Sequence, residues 1–253
     1  MELLSKTKVD QLGDRLRKGN IADDDLRLLD EYRHSFADTY DTVVGAIRNQ
    51  LTLEPTGRPA KSTTSITEKL RRESIRLTQV QDIAGCRIVV PEIAEQERVV
   101  KALVELLVQT TVVDRRQKPS HGYRAVHVVA TIDKRAVEIQ VRTALQQLWA
   151  EVSEKFADLY DLAIKYGGGK KRLRSFLDGA SAEIGKQENW EFKSLKVQSE
   201  IERLLSAAML TEADRAAIIK LQEEATSLRR GLVIERENTF NILQDVADMF
   251  QER

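Results

Sequence analysis

Cysteine is nearly absent. Cys86 stands alone among 253 residues, so no internal disulfide can form. Its place in the apolar run C-R-I-V-V (86–90) reads as a buried, inert thiol in a reducing compartment. Excess charge is absent as well. Forty basic and forty acidic residues cancel, so no global field announces a nucleic-acid or membrane partner, and only local patches stay open. No window approaches the roughly 18 consecutive apolar residues of a membrane span. The opening stretch M-E-L-L-S-K-T-K-V-D-Q lacks the apolar core of a signal peptide. These absences lead to the expectation of a cytoplasmic protein without a membrane partner. No repeat of fixed period and no low-complexity tract is evident, which argues against a solenoid.

What is there is enough to fold. A hydrophobic content of 42% fills a core for one moderate domain with an appendage, or for two small domains. From about Asp23 to Leu53, apolar residues including Leu26, Leu29, Tyr32, Phe36, Val43, Ile47 and Leu51 recur every three or four positions, as on one amphipathic helix. After the punctuated stretch L-E-P-T-G-R-P, residues Ile66, Leu70 and Leu77 keep helical spacing, with Ser62 to Ser65 as candidate caps. The middle of the chain changes period. C-R-I-V-V, T-T-V-V-D, R-A-V-H-V-V-A-T-I and A-V-E-I-Q-V-R-T read as strands, with E-I-A-E-Q-E-R-V-V-K-A-L-V-E-L-L-V-Q as a helix among them. The short D-K-R link makes the last two strands an antiparallel hairpin. From Ala144 the pattern is helical except at Y-G-G-G-K-K-R-L-R, and apolar positions such as Ile201, Leu205, Ala208, Ile218, Phe240, Leu243 and Phe250 give two or three helices with charged outer faces. The expected organisation is an α/β domain over 1–165 with a small mixed sheet flanked by helices, then a helical extension over 166–253.

The candidate chemistry collects on the strands and on a basic segment before them. Asp82 lies at the lip of a buried strand, and Glu138 projects from the polar face of another, because Val137, Ile139 and Val141 alternate away from Glu138, Gln140 and Arg142. Two carboxylates on adjacent strands can hold Mg²⁺ beside a nucleotide's phosphates; the competing reading is a solvated strand residue and a cap. Arg58 and Lys61 fall in a loop before a helix, and Lys69, Arg72 and Arg76 share one face of it, a cluster able to hold a triphosphate or simply to be a solvated face. Tyr123 and His127, four apart on a strand, fall on the same side of it. The tyrosine can stack on a base, and the histidine is either a structural hydrogen-bonding residue or a participant.

The segments G-R-P-A-K-S-T-T-S-I-T-E-K-L-R-R-E, Q-D-I-A-G-C-R-I-V-V, S-H-G-Y-R-A-V-H-V-V and V-E-I-Q-V-R-T-A-L-Q-Q-L-W-A-E-V-S-E-K come in the order and spacing of the RelA/SpoT synthetase domain. The chain thus resembles the (p)ppGpp synthetase family and is similar to its small alarmone synthetases. The resemblance implies a nucleotidyltransferase-like mixed sheet and the Mg²⁺-dependent transfer of pyrophosphate from ATP to the 3′-hydroxyl of GDP or GTP. On the matching positions Asp82 is a metal ligand, and Glu138 is a second ligand or the group that activates the hydroxyl. Arg58 and Arg87 resemble the pair that sandwiches adenine, and Lys61, Lys69 and Arg72 the phosphate-binding cations. Tyr123 resembles the tyrosine on guanine, with His127 against the acceptor. The chain departs from the pattern at Ala125, where a serine is common, and in the spacing of Arg58 from Lys61. His34, His121 and His127 are each followed by a residue other than Asp, so the hydrolase motif of the long bifunctional enzymes is missing.

Some members of the family resemble toxins that modify the 3′ end of tRNA. The basic run Lys170, Lys171, Arg172 and Arg174 offers phosphate contacts for that acceptor, or is a solvated loop. A third reading is a weakly catalytic regulatory or scaffold protein. The similarity also implies a homo-oligomer, with an antitoxin or regulatory partner left open.

Overall fold

The computed structural model describes residues 4–249 apart from 20, 207, 208 and 210, so that Ala208 and Phe250, named above, lie outside the described residues. Three helices open the chain: α1 (Lys6–Lys18), α2 (Asp23–His34) and α3 (Ala37–Ala46). Helix α1 is an addition to the sequence reading. It starts where the Ser5 hydroxyl accepts from the Lys8 amide at 3.3 Å, and ends at Gly19 in the left-handed region. The single helix expected over 23–53 is broken into α2, α3 and a π turn (Ile47–Leu51). At the break the Ser35 hydroxyl donates to the Tyr32 carbonyl at 2.6 Å, taking an acceptor from the helical ladder.

Helix α4 (Thr63–Arg72) is capped by the Ser62 hydroxyl and stops at Glu73, whose backbone is extended. Leu77 therefore belongs to a separate 3₁₀ turn (Leu77–Gln79), and Arg76 leaves the face it was expected to share with Lys69 and Arg72. Five strands form one sheet: β1 (Thr56–Arg58), which falls in the stretch expected to be a loop, and β2 (Ala84–Val90), β3 (Thr110–Asp114), β4 (Val126–Ile132) and β5 (Arg135–Thr143), which follow the four expected runs, in the order β1-β2-β5-β4-β3. Helix α5 (Ile93–Leu106) connects β2 to β3 in the chain. β4 and β5 form the expected antiparallel hairpin, from Val126 opposite Val141 to Ile132 opposite Arg135. Its two turn residues, Asp133 and Lys134, both have positive φ (48° and 65°), the twist that suits a two-residue hairpin. Helices α6 (Ala144–Leu159), α7 (Lys171–Leu205) and α8 (Glu212–Asp248) complete the chain, with the break between α6 and α7 at the three glycines, as read from the sequence. The architecture is the expected mixed α/β sheet flanked by helices, with further helices after it. Among the described residues no helix is long and apolar enough to cross a membrane.

By contacts the chain divides into two compact units. The first holds the residues up to Ile88, Val99–Val113 and Val126–Val141; the second holds Val89–Arg98, Asp114–Ala125 and the chain from Arg142 onward. In the first unit the inward strand positions Val128, Ala130, Val137, Ile139 and Val141 are fully buried, as are Leu12, Leu16, Ile66, Leu70 and Ile83. In the second, Leu148, Trp149, Val152 and Phe156 of α6 pack with Leu177 and Ile184 of α7 and Leu243 of α8. Burying side chains of this size stabilises by roughly 1.5–3 kcal/mol each before chain entropy is counted.

Candidate functional site

The first unit gathers most of the predicted residues around Asp82. This residue follows the 3₁₀ turn and precedes β2, and its backbone neighbour Ile83 accepts a 2.6 Å hydrogen bond from the Lys61 amide. That bond brings the loop before α4 alongside, so that the Lys61 ammonium donates to Asp82 Oδ2, while Lys69, one turn from the end of α4, donates to Oδ1 at 3.0 Å. All three side chains are about four-fifths buried, at 19%, 17% and 21% exposure for Asp82, Lys61 and Lys69. Burial alone pushes the Asp82 carboxyl up; the charges of Lys61 and Lys69 and their hydrogen bonds outweigh it, and the pKa lies below the ordinary value. Asp82 is thus a carboxylate between two cations.

Glu138 sits on the half-exposed face of β5. His127 Nδ1 lies 2.9 Å from its Oε1, and Gln140 Nε2 donates to its Oε2 at 2.9 Å. The hairpin register explains the cluster: His127 is opposite Gln140, so the two share a face, and Glu138 is two residues from Gln140 on that same face. Burial is the largest influence on Glu138 and raises its pKa. The bond and charge of His127, then the bond of Gln140, reverse this and leave the pKa below its ordinary value, while the Asp82 charge acts in the raising direction. The two carboxylates therefore feel each other. Gln140 was read as a polar-face residue without a role, and its place two from Glu138 was the available signal.

Arg58 and Arg87 join this face from the other side. Arg58 is opposite Gly85 in the β1–β2 ladder, and Arg87 is two residues beyond Gly85. A Cβ added at Gly85 would lie 3.8 Å from the Glu138 Cβ, so these positions and Glu138 belong to the same side of the sheet. Arg58 was expected in a loop but ends β1, where the next residue, Pro59, has no amide to donate to the ladder. Arg72 donates from its guanidinium to the neighbouring Glu73 at 3.0 Å. Cys86 lies on the opposite, buried face of β2, and burial, with Glu138 nearby, pushes its thiol up to about 12. It is a neutral thiol at ordinary pH.

Tyr123 belongs to the second unit and is not on a strand. β4 begins three residues later, and Tyr123 closes a turn in which its amide donates to the Ser120 carbonyl at 3.0 Å. The same-strand relation to His127 therefore fails, because Arg124 and Ala125 lie outside any strand and β4 starts only at Val126. Arg142 braces the tyrosine: it donates to the phenol oxygen at 3.0 Å, and its guanidinium carbon lies 5.1 Å from the ring centroid. Like Gln140, Arg142 was recognised only as a polar-face position.

Could this arrangement hold a metal ion? Asp82 and Glu138 supply hard oxygen donors that interact electrostatically, which fits Mg²⁺. Among the described residues no group of three or more His, Cys, Asp or Glu could hold a metal. An ion here would complete its shell with water and substrate oxygens, as Mg²⁺ commonly does.

Comparison with known proteins adds an independent line. Residues 57–160 match the family described as "Region found in RelA / SpoT proteins". An uncharacterized protein of Mycobacterium tuberculosis is 39% identical over 141 residues, which is 54% of this chain and 51% of that protein. The chain thus spans about half the length of the curated relatives it matches. Among solved structures, a GTP pyrophosphokinase family protein of Streptococcus pneumoniae superposes with a TM-score of 0.50 at 24% identity, covering 72% of this chain and 97% of that one, a likeness of fold. The small alarmone synthetase 1 of Bacillus subtilis, in a structure bound to its product pppGpp, gives 0.48 at 23% identity, covering 67% and 99%. The matched segment, residues 57–160, is similar to the region found in RelA/SpoT proteins and contains Asp82 and Glu138.

Proposed function

We propose that the protein is a pyrophosphokinase that moves the β,γ-pyrophosphoryl group of ATP to the 3′-hydroxyl of GDP or GTP. The observation that carries this reading is Asp82, held ionised between Lys61 and Lys69 on the unit that also presents the Glu138, His127 and Gln140 cluster. Phosphoryl-type transfer asks mainly for positioning and for neutralisation of oxygens, and this cluster supplies both. In the reaction the acceptor 3′-hydroxyl gives up its proton, finally to solvent, as its oxygen bonds to the β-phosphorus, the bond from that phosphorus to the α–β bridging oxygen breaks, and AMP leaves.

Each residue has a defined task. Arg58 and Arg87, on one face of adjacent strands, take the adenine between guanidinium groups. Lys61 and Lys69 hold the triphosphate, and Arg72, one helical turn from Lys69, adds a cation. Asp82 and Glu138 would hold Mg²⁺, which when bound neutralises phosphate oxygens and orients the transferred group. His127 fixes the Glu138 carboxylate from Oε1 and would meet the acceptor beside it. Tyr123 stacks on guanine, presented by the Arg142 brace.

The test is transfer of label from γ-labelled ATP with Mg²⁺, with GDP, GTP and deacylated tRNA offered in parallel. Label in the guanine nucleotide, lost in Asp82→Ala, supports the proposal. Label only in tRNA would replace it with the toxin-type reaction, and no label in any acceptor would favour the regulatory reading.

A further inference from the structure

The loop that carries Tyr123 is seated on helix α7. The contacts of Gly122 and Arg124 with the helices lie within the second unit. Arg124, the residue after Tyr123, places its guanidinium on the carboxylate of Glu188 in α7: Nε donates to both oxygens at 3.0 Å, and Nη2 donates to Oε2 at 2.6 Å. Both side chains are buried, at 12% and 5% exposure. The Arg124 Nη2 also donates to the Arg116 carbonyl at 2.7 Å, which closes the loop on itself. Glu188 in turn accepts from Gln146 Nε2 of α6 at 2.8 Å. A buried charge pair that is hydrogen-bonded further on both sides is held in place, and breaking it from one side is costly.

Two glycines show how close the fit is. A Cβ at Gly185, one turn before Glu188, would stand 3.1 Å from Arg124 Nη1, so the guanidinium lies directly over that helix position. A Cβ at Gly122 would stand 2.7 Å from Trp149 Cζ2 of α6, and its φ of 83° suits glycine. Tyr123 is thus flanked on both sides by residues fixed on the helices, Gly122 on α6 and Arg124 on α7.

We infer that Glu188 and Arg124 are a positioning pair, and that α7 sets the conformation of the Tyr123 loop and with it the affinity for the guanine acceptor. The acceptor part of this statement rests on the proposed function. The seating of the loop does not. Helix α7 is accordingly a working part of the acceptor half, 64 residues along the chain from the loop it holds.

The experiment pairs amide hydrogen exchange over residues 115–125 with steady-state kinetics, on the wild type, Glu188→Gln and Gly185→Ala. Glu188→Gln removes the charge under Arg124. Gly185→Ala displaces the guanidinium while favouring the helix, and so keeps the fold. Both variants are expected to speed exchange in the loop by about tenfold or more, the signature of local opening. Both are also expected to raise KM for GDP about tenfold while KM for ATP stays within about twofold, a split that a general loss of structure would not produce. Unchanged exchange in the loop of Gly185→Ala, or equal loss for both substrates, overturns the inference. Should Glu188→Gln lose its fold, Gly185→Ala decides alone. Faster loop exchange in the variants of a wild type that uses no guanine acceptor would uphold the seating and overturn the acceptor role together with the proposed function.

Discussion

Asp82 keeps its charge in a largely buried place because two ammonium groups outweigh its burial, and the same two groups are those assigned to ATP. Charge-assisted contacts of this kind contribute about 1.5–3 kcal/mol. Lys61→Met and Lys69→Met should therefore each weaken binding of a non-hydrolysable ATP analogue by about tenfold to a hundredfold. Isothermal titration measures this, and wild-type affinity in both variants would remove the lysines from the donor site. A second residue-scale prediction concerns Asp114. Burial raises its carboxyl, but the hydrogen bonds from the Arg116 side chain and amide outweigh it and leave the pKa depressed. A depressed folded pKa gives stability that is present above the unfolded value and is lost as pH falls through the folded one. Asp114→Asn should lower the Tm at pH 7 by a few degrees, and its gap to the wild type should close below about pH 4. A gap constant with pH would mean that the carboxylate charge contributes nothing.

At the scale of elements, β1 depends on Gly57. A Cβ there would lie 2.5 Å from the Cys86 Cα, so no side chain fits while β1 pairs with β2. Gly57→Ala should unseat β1 and with it Arg58, costing about 1–3 kcal/mol of stability and weakening ATP binding more than GDP binding. A crystal structure of the variant with the ladder intact would contradict this. The strands that present Glu138 and His127 were legible in the sequence because V-E-I-Q-V alternates strictly and the D-K-R link is too short for anything but a hairpin. Tyr123 was not placed correctly, since alternation was extended from His127 back past Val126, where β4 begins. Helix α1 was missed because Val9, Leu12 and Leu16 are sparse apolar positions in a charged segment. The break between α2 and α3 hinges on the Ser35 hydroxyl, which competes with the backbone in a way that periodicity does not register. The Arg124–Glu188 pair was illegible for another reason: nothing local in either segment signals a partner 64 residues away.

For the whole molecule, charge balance and composition carried almost no functional information; the four ordered motifs and the carboxylate–lysine geometry carried most of it. The matched region covers residues 57–160, and beyond it α7 holds the Tyr123 loop through the Arg124–Glu188 pair. The central claim is that a pyrophosphoryl group moves as one unit, and the nucleotide left behind tests it most directly. Separating the nucleotides after reaction of ATP with GDP should show one AMP formed for each guanine nucleotide that gains two phosphates. ADP as the by-product, or AMP formed without a gain of phosphate by the acceptor, would contradict the account.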